Sequence, residues 1–138
     1  MSLFKKQIPE FKKSIDDHLK TILSKSDQSS EELSQAMKYS VMNGGKRIRP
    51  MMMLASAVAI DIDTQHVIPF ATAIELLHSF SLIHDDLPCM DDDSLRRGQP
   101  TTHVKFGEAT ATLAADSLQS LAFELMAKAE FPESKSSQ

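Results

Sequence analysis

Residues 82–98 read LIHDDLPCMDDDSLRRG, with five aspartates inside positions 85–93 and two arginines, Arg96 and Arg97, just after them. Carboxylates this crowded repel one another, so they need either open water or a cation. The segment before them is mostly apolar and reads as a buried helix, whose end is poorly placed for free exposure. Negative charge at a helix C-terminus also opposes the helix dipole. A hard divalent cation answers both difficulties. Clustered carboxylate oxygens suit Mg²⁺, which keeps several waters and is commonly shared with substrate phosphates. Asp85 and Asp91 are the candidate metal ligands and, with Asp86 beside them, the candidate catalytic carboxylates. Six positions apart, Asp85 and Asp91 would point to different sides of an ideal helix, and a break at Pro88 would bring Asp91 back toward the same ion. Cys89 lies within the cluster, but one thiol makes no zinc site, and no glutamate closes an EF-hand frame. The alternative reading is a solvated acidic loop with no ligand.

The arginines favour a ligand. Arginine binds phosphate through bidentate forks, so metal-binding carboxylates beside Arg96 and Arg97 describe a diphosphate site. A second basic group occurs upstream in GGKRIRP, residues 44–50, with Lys46, Arg47 and Arg49 after a glycine turn. Taken alone it is a basic helix–helix connection. Paired with the acidic motif, it suggests a second anionic group.

The elements that must position these residues are helices. Ala, Leu and eight Met among 138 residues favour helix, and alternating strand patterns are nearly absent. An all-α fold with a single domain over residues 1–138 is expected. Phe4, Ile8, Phe11, Ile15, Leu19 and Leu23 mark a first helix interrupted by Pro9. Ser29 and Glu32 fit a capping box for a second helix running to Met42, which Asn43-Gly44-Gly45 stops. Pro50 fits the first turn of a third helix, with Met51, Met52 and Met53 filling the core. DIDTQH reads as a turn, and Pro69 opens a long helix through Leu87 that is apolar nearly all round, as at the centre of a bundle. Residues 88–101 read as loop, and a last helix spans about Gly107 to Ala129.

Composition excludes other classes. The net charge of −4 carries no basic nucleic-acid footprint. No run approaches the roughly 20 apolar residues of a membrane span. The N-terminus lacks the apolar core of a signal peptide, and a single Cys89 forms no internal disulfide, so a reducing cytoplasm is the expected location.

In order and spacing, GGKRIRP, LIHDDLPCMDDDSLRRGQPTTH and KFGEATATLAADSLQSLAFELMA resemble the trans-prenyltransferase (polyprenyl synthetase) family, its bacterial farnesyl diphosphate synthases most of all. The resemblance runs from about residue 36 to 130. It implies a helical bundle of the isoprenoid synthase type, truncated to its N-terminal half. It also implies head-to-tail condensation of isopentenyl diphosphate with an allylic diphosphate, dimethylallyl or geranyl, to give farnesyl diphosphate. There metal ions draw diphosphate off the allylic substrate, the isopentenyl double bond attacks the carbocation, and a proton is lost. By this resemblance Asp85 and Asp91 hold Mg²⁺, Arg96 meets the allylic diphosphate, and Lys46, Arg49, His78 and Arg97 form the isopentenyl diphosphate pocket. The implied assembly is a homodimer. Phe80, five residues before Asp85, lies roughly 7–8 Å down the helix at 1.5 Å per residue. A ring there would close the floor of the tunnel for the growing chain, with small Ser81 beside it, and in the family an aromatic at this position goes with C15 products.

Two departures matter. Ala115 stands where close relatives carry glycine, and the family's second aspartate-rich motif does not occur in these 138 residues. The chain alone is therefore expected to lack prenyl transfer. Rival readings are a geranyl or geranylgeranyl diphosphate synthase and a non-catalytic diphosphate-binding or regulatory subunit. Away from the motifs, His84 is expected to be a structural hydrogen-bond partner, Asp116 an interhelical partner, and Lys105 a solvated charge.

Overall fold

The computed structural model describes residues 3–25 and 30–130. Among the described residues six helices follow in order: α1 (Leu3–Lys25), α2 (Glu31–Met42), α3 (Ile48–Ala59), α4 (Thr64–Asp85), α5 (Thr102–Phe106) and α6 (Glu108–Lys128). Between α4 and α5 a short antiparallel hairpin pairs β1 (Leu95–Arg96) with β2 (Gln99–Pro100).

Helix α4 is the axis of the bundle. It packs most extensively on α6, then on α3, α1 and α2. Its apolar residues fall on every side, so it has no polar face to give to water, and Ala71, Ala73 and Leu76 are fully buried. By length and hydropathy it is also long and apolar enough to cross a membrane, contrary to the expectation that no run comes near a span; half of that stretch is buried against the protein's other helices. Helix α6 answers it with small side chains: Ala111, Ala114, Ala115 and Ala122 are buried with Leu118, which lets two backbones approach closely. Helix α1 contributes Phe11, Ile15, Leu19 and Leu23, spaced four apart so that they form one buried stripe.

Several boundaries differ from the sequence reading. Pro9 does not interrupt α1; it is exposed, and the helix runs through it. The N-cap of α2 is Ser30, whose hydroxyl accepts from the Leu33 N–H at 3.3 Å, while Ser29 lies outside the described residues. Helix α4 starts five residues before Pro69, because Asp63 caps it by accepting from the Gln65 N–H at 2.9 Å. Met51 and Met53 pack on the core, but Met52 is 62% exposed. Three consecutive helical residues sweep about 200°, so they cannot all face inward.

The segment read as loop has its own order. Pro88 ends α4, and the chain turns back so that the Asp91 N–H donates to the Asp85 carbonyl at 2.9 Å. Leu87 is buried and anchors this turn. In the hairpin that follows, Arg97 and Gly98 both have positive φ, 53° and 77°. Two such residues make the primed turn that matches strand twist. Tyr39 of α2 holds the hairpin from outside, donating its hydroxyl to the Pro100 carbonyl at 2.8 Å.

Leu76→Ala should destabilise the protein by about 2–5 kcal/mol, because it opens a cavity at the bundle axis. Met52→Ala should cost less than about 0.5 kcal/mol. Urea denaturation of the two variants checks both; equal losses would mean that α4 is not the axis.

Candidate diphosphate site

Glycine turn, α4 and hairpin bring the candidate residues together in two adjoining places. The first is a cleft of about 540 Å³ lined by Lys46, Arg49, His78 and Arg97, with Gly45, Arg47, Ile48 and Glu75. Four cationic or imidazole side chains from three distant segments thus share one opening. Lys46 and Arg49 are exposed, while His78 is half-buried. Burial and the nearby Arg49 and Arg97 charges hold the His78 pKa below its ordinary value, against the pull of Glu75. An imidazole kept neutral there offers one N–H donor and one acceptor.

Arg97 ties the two places together. Its Nη1 donates to the Gly44 carbonyl, and a Cβ at Gly45 would lie 2.9 Å from the same nitrogen. Gly45 has φ +126°. The glycine pair therefore does more than stop α2: it gives the guanidinium of a residue 53 positions away a surface to lie on.

The second place is the end of α4. Asp86 is 3% exposed and turned inward onto Arg96, whose Nε lies 3.0 and 2.9 Å from its two oxygens and whose Nη2 lies 2.5 Å from Oδ1. Of the three candidate catalytic carboxylates, Asp86 is thus set apart from Asp85 and Asp91 by its burial. A carboxylate this buried needs a full counter-charge, and Arg96 supplies it. That bond holds the Arg96 proton more firmly than usual. Arg96 also lies 3.8 Å from Asp93. Asp85 is half-buried and Asp91 exposed, joined through their backbones. Among the described residues no three His, Cys, Asp or Glu side chains group around one point. Two carboxylates at an open helix end nevertheless suit Mg²⁺, which takes one or two protein carboxylates and fills its shell with water and phosphate oxygens.

Other expectations fared unevenly. Arg47 does not line up with Lys46 and Arg49; it points inward and is 4% exposed. Asp116 does face His84 across α4 and α6, at 3.7 Å. That is too long for a hydrogen bond, and the buried His84 Nε2 has no partner; the ring stands edge-on to Phe80 at 4.7 Å. Lys105 is exposed but sits 3.7 Å over the Tyr39 ring. Phe80 is half-buried against the core, and Ser81 donates to the His78 carbonyl at 2.9 Å. Glu75 and Tyr39 were missed. A lone acid in the apolar run AIELL was a signal for Glu75, since a buried carboxylate must have a partner; nothing in the sequence marked Tyr39.

Residues 30–137 match the family model described as polyprenyl synthetase. The chain belongs to the polyprenyl synthetase family. It is 54% identical over 96 residues to the farnesyl diphosphate synthase of Haemophilus influenzae, covering 70% of this chain and 32% of that one. It is 50% identical over 98 residues to the chloroplastic heterodimeric geranylgeranyl pyrophosphate synthase large subunit 1 of Arabidopsis thaliana, covering 71% and 26%. The crystal structure of a geranyltransferase from Legionella pneumophila superposes with a TM-score of 0.88 at 38% identity, covering 92% of this chain and 45% of that one. The matched segment thus spans about a third or less of these curated relatives' length. The isoprenoid synthase fold expected from the motifs is the fold observed.

Asp86→Ala should cost roughly 2–3 kcal/mol, the worth of charged hydrogen bonds lost from a buried site, and should release Arg96. Thermal denaturation and crystallography check this. His78 should titrate below the ordinary imidazole range by NMR. Its native form binds fewer protons than the unfolded chain, so its contribution to stability falls as pH drops through the free imidazole value.

Proposed function

We propose that this chain carries the diphosphate-binding part of a prenyl diphosphate synthase that condenses isopentenyl diphosphate with an allylic diphosphate, dimethylallyl or geranyl, to give farnesyl diphosphate. The observation that carries the reading is the convergence of Lys46, Arg49, His78 and Arg97 on one cleft beside the end of α4. In this reading the cleft takes isopentenyl diphosphate. Lys46 and Arg49 meet its charge, Arg97 supplies a planar fork held in place by the Gly44 carbonyl, and His78 donates one hydrogen bond. Asp85 and Asp91 would hold Mg²⁺, which when bound stabilises charge on a departing allylic diphosphate. Asp86 acts through Arg96, which it orients toward that second diphosphate.

Phe80 would close the hydrocarbon tunnel below Asp85, with Ser81 too small to do so. The farnesyl synthase from H. influenzae supports a C15 product. The Arabidopsis relative, a geranylgeranyl synthase subunit, supports a C20 product or a mixed dimer as the second reading. A homodimer and a reducing, cytoplasmic location complete the proposal; exposed, unpaired Cys89 is consistent with the latter.

Calorimetry with inorganic pyrophosphate tests the cleft. Lys46→Ala or Arg49→Ala should each weaken binding about tenfold to a hundredfold, the worth of one charge-assisted hydrogen bond. Binding unchanged in both variants would refute the cleft assignment. In a longer protein carrying this segment, Asp85→Ala should cut prenyl transfer at least about a hundredfold, in line with the several kcal/mol a metal ion contributes, and Asp93→Ala much less. There Phe80→Ala should move products from C15 toward C20, read by chromatography; an unchanged C15 product would show that another wall sets the length.

A further inference from the structure

Glu75 is an anomaly in this cleft. It lines the opening that gathers cations, yet it carries a negative charge and is 3% exposed. Arg47 meets it, with Nη1 to Oε1 at 2.7 Å. The same guanidinium donates through Nε to Asp16 of α1 at 2.9 Å and through Nη2 to the Val41 carbonyl of α2 at 2.8 Å. Its side chain is 3% exposed, and each of its three nitrogens already has a partner. Arg47 is therefore closed to an anionic ligand even though it stands among the residues that line the cleft.

The backbone at Arg47 is also unusual. It caps α3 with φ +52°, in the left-handed region, where a side chain other than glycine is disfavoured. The three hydrogen bonds hold it there. That conformation separates Arg47 from its neighbours, sending its side chain into the core while Lys46 and Arg49 stay exposed at the cleft.

We propose that Arg47 is a positioning residue of the anion cleft that acts through Glu75, neutralising this buried carboxylate beneath the bound diphosphate. The proposal rests on the diphosphate reading of the cleft. Without Arg47, an ionised Glu75 would repel the diphosphate over a few ångströms in a partly desolvated site, where charges act strongly. The groups around Glu75 are Arg47 with Asp16 behind it, and His78, Lys46, Arg49 and Arg97 across the cleft.

Pyrophosphate affinity of the native chain and of Arg47→Met, Glu75→Gln and Arg47→Met/Glu75→Gln tests this. All four are measured at a pH of about 8.5, well above the ordinary range of a free glutamate carboxyl. Arg47→Met should bind at least about tenfold more weakly, and the double variant should recover to within about threefold of native. A double variant as weak as Arg47→Met, with both folded by circular dichroism, overturns the proposal. Should Arg47→Met not fold, Glu75→Gln decides: it should bind at least as tightly as native, and weaker binding overturns the proposal. If the native chain binds no pyrophosphate, the cleft reading fails by itself. The charge coupling is then judged on His78, whose titration midpoint by NMR should drop in Glu75→Gln, and an unchanged midpoint overturns it.

Discussion

A buried carboxylate must meet a cation, and helix α4 carries two of them inward. Glu75 lies at mid-helix and Asp86 at its C-terminal cap, each about 3% exposed. Neither finds its partner on α4. Arg47 comes from the turn between α2 and α3, and Arg96 from the hairpin after α4. The charge requirement of one central helix thus latches two loops onto it; these loops carry Lys46 and Arg97, and the first of them leads into Arg49 at the start of α3. Replacing such pairs by apolar residues can leave stability unchanged or improve it, so stability alone does not account for them. Their geometric effect is clearer: they fix where two loop segments sit relative to α4.

The latching is reinforced by contacts that involve no carboxylate. Tyr39 pins the hairpin at Pro100, and Lys105 covers the Tyr39 ring, while Phe106 stands edge-on to it at 5.5 Å. Arg97 bridges the hairpin to the glycine turn. Arginines at 96 and 97 therefore serve different ends despite being adjacent. Arg96 ends strand β1 and turns in to Asp86, whereas Arg97, at φ 53°, opens the turn and lines the cleft.

Much of this was legible in the sequence because the signals were local. The buried α1 stripe, the stop at Asn43-Gly44-Gly45 and the all-round apolar α4 follow from periodicity and turn chemistry within a few residues. The grouping of Lys46, Arg49, His78 and Arg97 followed from family resemblance, since 51 positions separate the first from the last. What escaped were partnerships decided by packing across long separations. Nothing in GGKRIRP distinguishes Arg47 from Arg49; their fates diverge only because a left-handed residue at 47 reverses the chain's direction against α1 and α4. Likewise, in HDDLPCMDDD every aspartate looks alike, and burial alone sets Asp86 apart.

That distinction bears on how an acidic motif works. Five like charges in nine positions cannot all serve one ion, and here they do not share an environment. Asp86 is removed from the group by Arg96, and Asp93 receives part of the same guanidinium's field and offers its carbonyl to Thr101. Asp92 has φ 54° and belongs to the turn. Asp85 and Asp91 are left as the pair joined by the returning backbone. The crowding that first suggested a metal is thus divided between shaping the loop and presenting two carboxylates at its edge. The arginines that follow differ in the same way: one cancels the charge that must be buried, and the other lines the cleft with Lys46, Arg49 and His78.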